Sequence, residues 1–182
     1  MSPSSQLTSP AAQMLRDGQA AGTWTLDASR SQIRLKSRSM WGLAPVKGVF
    51  RQVSGTGTVS PSGEVTGTIT VAARSIDTKN KKRDEHLRSA DFFDAASHPD
   101  ITFTVDQVRP SGNGVTVTGQ LAVRGRTRPA SFDAQVSGFD GGEVWLDGEL
   151  VVNRADFGLT WNQMGMASMN NTIAVHAVFT RQ

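Results

Sequence analysis

The chain has 182 residues, 19 Lys and Arg against 16 Asp and Glu, a net charge of +3 and no cysteine. This length suits one domain with a real core. The lack of cysteine excludes a disulfide framework, a thiolate zinc site and a thiol nucleophile, and no stretch approaches the ~18 apolar residues of a membrane helix.

Residues 1–21 read as a flexible N-terminal tail rich in Ser, Pro, Gln and Ala, with a short, loosely held helix expected over 11–16. The tail lacks the basic and apolar regions of a secretory signal, so the expectation is a soluble, cytoplasmic protein whose folded domain spans 22–182.

From Thr23 onward the chain has a period of two. Ile33, Leu35, Ser37 and Ser39 alternate with Arg34, Lys36 and Arg38. The pattern returns at Val65, Gly67, Ile69 and Val71, at Ile101, Phe103 and Val105, and at Val115, Val117, Gly119, Leu121 and Val123. It continues through Phe132, Ala134 and Val136, through Val144, Leu146, Gly148, Leu150 and Val152, and through Ile173, Val175, Ala177 and Phe179. Such alternation marks half-buried antiparallel strands. Gly-bearing turns at 60–63, 110–114 and 139–142 join them as hairpins. A meander of this kind loses its two open edges by closing into a barrel. The segments run to about 10 residues, roughly 33 Å. The predicted fold is therefore all-β: an elongated eight-stranded antiparallel up-and-down barrel. Barrels of eight strands either fill their interior or hold one small ligand. Gly67, Ala73, Gly119, Ala134, Gly148 and Ala177 on the apolar face either leave a pore or make room for Phe50, Phe103 and Phe132; the pattern leaves both open.

One stretch, 75–103, breaks the period. Asp77, Thr78 or Asn80 is placed to cap a short helix over about 79–90, which would cover one end of the barrel. Asp84 and Arg88 are spaced to bridge on one helix face, and Arg83 and Asp84 are expected to pair and fix the loop. Lys81, Lys82 and Arg88 are candidate contacts for a phosphate head group. Asp84 and His86 point in different directions on a helix, and His98 and His176 complete no triad or metal-ligand spacing. No catalytic residue, metal site or cofactor is expected, and the protein is read as non-enzymatic. Arg34, Lys36 and Arg38, like Arg124, Arg126 and Arg128, read as solvated outer faces. They lack the interleaved aromatics of a single-strand binder, so no nucleic-acid partner is expected. The loop after the sixth period carries Trp161, Met164, Met166 and Met169, an adaptable apolar surface.

Several motifs resemble the YceI-like family. They are Trp24-Thr25-Leu26-Asp27 with Ser31-Gln32-Ile33, then Val46-Lys47-Gly48-Val49-Phe50, then Ser75-Ile76-Asp77-Thr78. Arg83-Asp84-Glu85-His86-Leu87-Arg88-Ser89-Ala90-Asp91-Phe92-Phe93-Asp94, His98-Pro99-Asp100-Ile101-Thr102-Phe103, Gly119-Gln120-Leu121-Ala122-Val123-Arg124-Gly125 and Asn153-Arg154-Ala155-Asp156-Phe157-Gly158 extend the likeness. The resemblance implies a lipocalin-like barrel that binds long apolar molecules, polyisoprenoids among them, in a central pore. It also implies that a homodimer is compatible with the fold, since some members form dimers. It favours a hollow interior. Ser39 stands where many members carry histidine and Ser37 where an apolar residue is common, which makes the expected pore locally more polar.

Pattern and resemblance together predict binding and sequestration or transport of a long-chain isoprenoid or acyl molecule. The candidate wall is Ile33, Leu35, Ser37, Ser39, Ile69, Val71, Phe103, Val105, Val117, Leu121, Phe132, Val136, Leu146 and Leu150. The candidate mouth is Phe92, Phe93, Trp161, Met164 and Met166. The alternative is a filled barrel acting as a protein-interaction module through the 161–169 loop or the basic strand faces.

Overall fold

The computed structural model describes residues 9–140 and 142–182. In chain order these form α1 (Pro10–Arg16), β1 (Gly22–Leu26), β2 (Gln32–Ser39), β3 (Ala44–Phe50), β4 (Val53–Val59), β5 (Val65–Ala72), β6 (Ile76–Asp77), α2 (Lys81–Arg88), β7 (Asp100–Ser111), β8 (Gly114–Val123), β9 (Arg126–Phe139), β10 (Glu143–Asn153) and β11 (Asn170–Arg181).

Every described strand pairing is antiparallel. β11 closes the sheet. Its end pairs with β1, Leu26 opposite Phe179, and its middle pairs with β2, Leu35 opposite Ile173. β1 and β2 thus act as one long strand broken at 27–31. At that break the Val178 N–H donates to Ser31 Oγ at 2.9 Å, so a side chain replaces the missing rung. β3 and β4 are likewise one strand broken at 51–52, pairing with β6 and β5 on one side and with β2 and β1 on the other. Counted this way, the sheet is a closed eight-stranded up-and-down barrel of the lipocalin-like kind. The eighth strand, beyond the seven periodic segments, is this broken one. Its Gly55 and Gly57 interrupt the run of large inward residues that marks the others.

The predicted inward set faces inward, but much of it is only half-buried. Leu35, Ile69, Phe103, Phe132 and Val175 keep some exposure although they sit inside the barrel, because each borders an axial void on one side.

The segment before β1 differs from the loose tail expected. Ser9 caps α1, accepting from the Ala12 N–H at 3.2 Å, with Pro10 as first helical residue. A seven-residue helix is marginal alone. Here Ala11 packs with Val115, Val117 and Ala134, and Met14 and Leu15 pack with Ala20 beneath Val65 and Phe139. The apolar positions 11, 14 and 15 lie on one helical face, and the barrel end supplies the surface that face needs. The Trp24 indole N–H donates to the Ala20 carbonyl at 2.8 Å and anchors the return to β1. Residues 1–8 lie outside the described residues.

Candidate functional site

Two chambers lie along the barrel axis. The upper one has a volume of about 350 Å³, within the range of ~300–1,000 Å³ usual for small-molecule sites. The lower one, about 170 Å³, ends at Ala11, Met14 and Leu15 of α1. Ile69, Phe103, Phe132 and Val175 border both and form the partition. The two rings meet edge to face at 5.7 Å. Glycine seats both. A Cβ on Gly119 would collide with the Thr104 carbonyl oxygen and lie 2.9 Å from the tip of the Phe103 ring, and one on Gly148 would lie 2.8 Å from the Asp133 carbonyl oxygen and 3.0 Å from Phe132. For these two glycines, room for neighbours is the role, whereas the void above the waist is a true pore.

Of the residues expected to form the wall, Ile33, Leu35, Ser37, Ser39, Val71, Leu121 and Leu150 border the upper chamber. Val105, Val117, Val136 and Leu146 border the lower one. Phe92, Phe93 and Trp161 border the upper chamber at its mouth, but Met164 and Met166 do not. Met164 stands out into solvent at 77% exposure. Lys81 and Lys82 are exposed on α2 and lie outside both walls. Arg88 is committed elsewhere. Its Nε donates to the Arg74 carbonyl at 2.7 Å and its Nη2 to that of Ile76 at 3.1 Å, so the spacing for a bridge to Asp84 goes unused.

Arg83 and Asp84, expected to pair with each other, instead converge on Thr78. Asp84 Oδ1 accepts from the Thr78 N–H at 2.9 Å and from its hydroxyl at 2.6 Å. Arg83 donates to Thr78 Oγ1 and to its carbonyl, both at 2.8 Å. Adjacent helical residues face different ways, and one residue at the strand end satisfies both. Asn80 is the cap, accepting from the Arg83 N–H at 3.0 Å. These bonds fix α2 across the mouth.

Two residues not expected at the mouth, His86 and Arg154, join Phe92 and Trp161 there. His86 lies edge to face on Trp161 at 4.3 Å and on Phe92 at 5.1 Å. Its Nε2 is 3.0 Å from Asp91 Oδ2. Arg154, 7% exposed, sits 5.5 Å from the centre of the Phe92 ring. Its Nε donates to the Ser168 carbonyl at 2.9 Å, and its Nη1 donates to those of Leu159 and Trp161 at 2.9 and 2.8 Å. Its Nη2 has no hydrogen-bond partner among the described residues. Burial pushes the Arg154 pKa down, because desolvation disfavours the charge. Arg154 lies within the Asn153-to-Gly158 motif, but hydrophobic periodicity gives no weight to a lone buried cation.

The arrangement can shelter an elongated apolar molecule, its far end against the Phe waist and its near end under Trp161 and His86. Among the described residues no cluster of three acidic or histidine side chains is placed to hold a metal, and no helix is long and apolar enough to cross a membrane.

A closed barrel with an apolar axial chamber, one capped end and one mouth defines the lipocalin-like class. Within it, the YceI-like domain family matches residues 24–180, and the chain belongs to that family. Protein YceI of Salmonella arizonae is 32% identical over 136 residues, 70% of each chain. A UPF0312 protein of Pectobacterium atrosepticum is 32% identical over 120 residues, spanning 63% of this chain and 62% of that one. Burkholderia cenocepacia BcnA superposes with a TM-score of 0.76 at 24% identity, over 84% of this chain and 98% of that one. A domain of Saccharophagus degradans described as polyisoprenoid binding superposes with a TM-score of 0.68 at 17% identity, over 87% and 98%. At those identities the two structures are similar in fold.

Proposed function

We propose that the protein binds one long-chain apolar molecule, a polyisoprenoid or fatty-acyl compound, and sequesters or carries it in the barrel. The observation that carries this reading is the upper chamber itself, an axial void walled by residues such as Leu35, Val71, Phe103 and Leu150. The polar groups at its border come largely from the rim, among them Ser39, Thr78, Arg83, His86 and Ser168. The polyisoprenoid-binding fold relative supports the same class of cargo.

Burial drives the binding. Each buried methylene contributes about 0.8 kcal/mol, so ten of them offer about 8 kcal/mol gross. Association costs roughly 4–15 kcal/mol. A chain confined to the upper chamber therefore comes close to breaking even. A longer chain gains a surplus only where it displaces the Phe103 and Phe132 rings and reaches Val105, Val117, Val136 and Leu146 beyond them. Selectivity in this reading is by length and width. The protein acts by binding alone, with no chemistry on its cargo. The cytoplasmic address expected from the sequence belongs to the same proposal, and cell fractionation tests it.

Native mass spectrometry of freshly purified protein, with organic extraction of what is released, tests the function. A stoichiometric long-chain species is expected. Leu35→Trp, which fills the upper chamber from a half-buried position, should abolish that species while the fold remains. Ala134 is the poorer site for such a block, since it packs on Ala11 of α1. A clean protein mass, together with failure of added polyprenyl and fatty-acyl ligands to bind, would leave the interaction-module reading in its place.

A further inference from the structure

Seven large apolar side chains stay exposed among the described residues, and five of them stand on two loops at the mouth: Met40, Trp41, Leu43, Trp161 and Met164. Trp41 is 65% exposed and Leu43 82%. The loops are joined by backbone bonds. The Trp41 N–H donates to the Met166 carbonyl at 3.1 Å, and the Ser168 N–H to that of Arg38 at 2.9 Å. The apolar tips therefore form one rim, and Arg38, Ser39, Trp161 and Ser168 at its base border the upper chamber. Met40, Trp41 and Met164 all hold positive φ, at 50°, 54° and 53°, which is unfavourable for bulky residues. The turns thus hold these side chains outward at a conformational cost.

On the hairpin that carries three of the tips the charge has one sign. No Asp or Glu occurs from Ser31 to Arg51, and the hairpin's outer face carries Arg34, Lys36, Arg38 and Lys47. Lys36 stands directly opposite Lys47, an unfavourable like-charge pair, and Glu149 on β10 reaches only Lys36, at 2.8 Å. Lys81 and Lys82 on α2, which meets the same rim through His86 and Trp161, are offset by Glu85 and by Asp91 beside His86, so the cationic surface is that of the hairpin.

We propose that this rim docks on the surface of an anionic lipid bilayer. Met40, Trp41, Leu43 and Met164 enter at the level of the head groups, and Arg34, Arg38 and Lys47 lie over anionic lipid. Interleaved Trp, Leu and Met tips with flanking cations suit an interface that is apolar inside and negative outside. A second copy of the chain fits less well, because a two-fold interface would set the basic hairpin against its own image. Docking turns the mouth toward the membrane, so an apolar cargo would pass between bilayer and chamber without crossing water. The surface stands whether or not the pore holds a cargo, so it goes beyond the binding function proposed above.

The test is co-sedimentation of the full chain with vesicles of phosphatidylcholine alone and of equimolar phosphatidylcholine and phosphatidylglycerol. Binding is expected to the mixed vesicles and to fall as salt shortens the Debye length from about 30 Å toward about 3 Å. Trp41→Ser with Leu43→Ser should weaken it on the order of tenfold or more. Arg34→Gln with Lys47→Gln should weaken it on mixed vesicles only. These side chains are exposed, so an unchanged thermal midpoint certifies the fold. A blue shift of tryptophan emission on vesicles should shrink in Trp41→Phe, leaving the share of Trp161 at the rim, and persist in full in Trp145→Phe, since Trp145 is exposed at the far end of β10. Equal binding to both vesicle types, or loss of the shift in Trp145→Phe, overturns the proposal. So does a dimer seen by sedimentation velocity that Leu43→Ser disperses, with no vesicle binding.

Discussion

Arg154 shows how one residue organises a loop. It is a buried cation with no salt bridge among the described residues, and three carbonyls from 159, 161 and 168 solvate it in place of water. Arg154→Met keeps much of the stem but orphans those carbonyls. The expected cost is about 2–4 kcal/mol, read from urea denaturation, with faster amide exchange over 159–168. Unchanged exchange there would show that the loop holds itself. Two carboxylates act at the surface in the opposite sense. Asp27 is held at about 2 by the Ser29 hydroxyl and Arg30, and Asp77 at about 2 by the Lys79 N–H and Arg51. The ordinary value is 3.8. Between these values the unfolded chain takes up protons that the native state refuses, so the stabilisation is present above about pH 4 and is lost as pH falls through 2. The urea midpoint should drop across this window, and Asp27→Asn with Asp77→Asn should flatten the drop. An equal drop in that double variant would assign acid sensitivity to other groups.

α1 is an element whose stability comes from its seat. Its four buried residues are Ala11, Ala12, Met14 and Leu15, and without the open barrel end a seven-residue helix has no reason to persist. Leu15→Asp places a charge in that seat. It should cost about 2–3 kcal/mol and expose the segment before Gly22 to limited proteolysis, while 22–182 remains resistant. The barrel survives because β1 is held by β4 and β11, not by α1. Resistance of the segment in that variant would mean that α1 contributes little to closing the end. α2 is fixed differently, by the bonds of Arg83 and Asp84 to Thr78, and this makes it a built part of the mouth.

At the scale of the whole molecule, the pinch at Phe103 and Phe132 sets how much of the barrel is usable. Phe132→Ala should join the two chambers. It should cost about 3 kcal/mol of stability, the low end for such a change because the ring already borders a void. In a series of added acyl or polyprenyl ligands it should shift the preference toward longer chains, as isothermal titration would show. The same length preference in the variant and the parent protein would place the cargo wholly above the waist.

Much of this architecture was legible in the chain. Strict alternation identified the inward positions of seven strands, because a side-chain period of two leaves no freedom about which residues share a face. Gly-bearing turns gave their up-and-down order. The break in the period and the capping residues at 77–80 placed α2 over a barrel end. The chain alone did not decide whether Gly119 and Gly148 leave a void or seat a ring, since that depends on which side chain of the neighbouring strand leans over each glycine. Nor did it show that residues 9–20 close the lower end, because a short helix is defined by its seat more than by its propensity. Arg154 and the His86–Trp161–Phe92 cluster depend on contacts between loops far apart in sequence. Local pattern carries strand faces and turns; closure brings distant loops to one mouth, and only there do waist, plug and rim come into being.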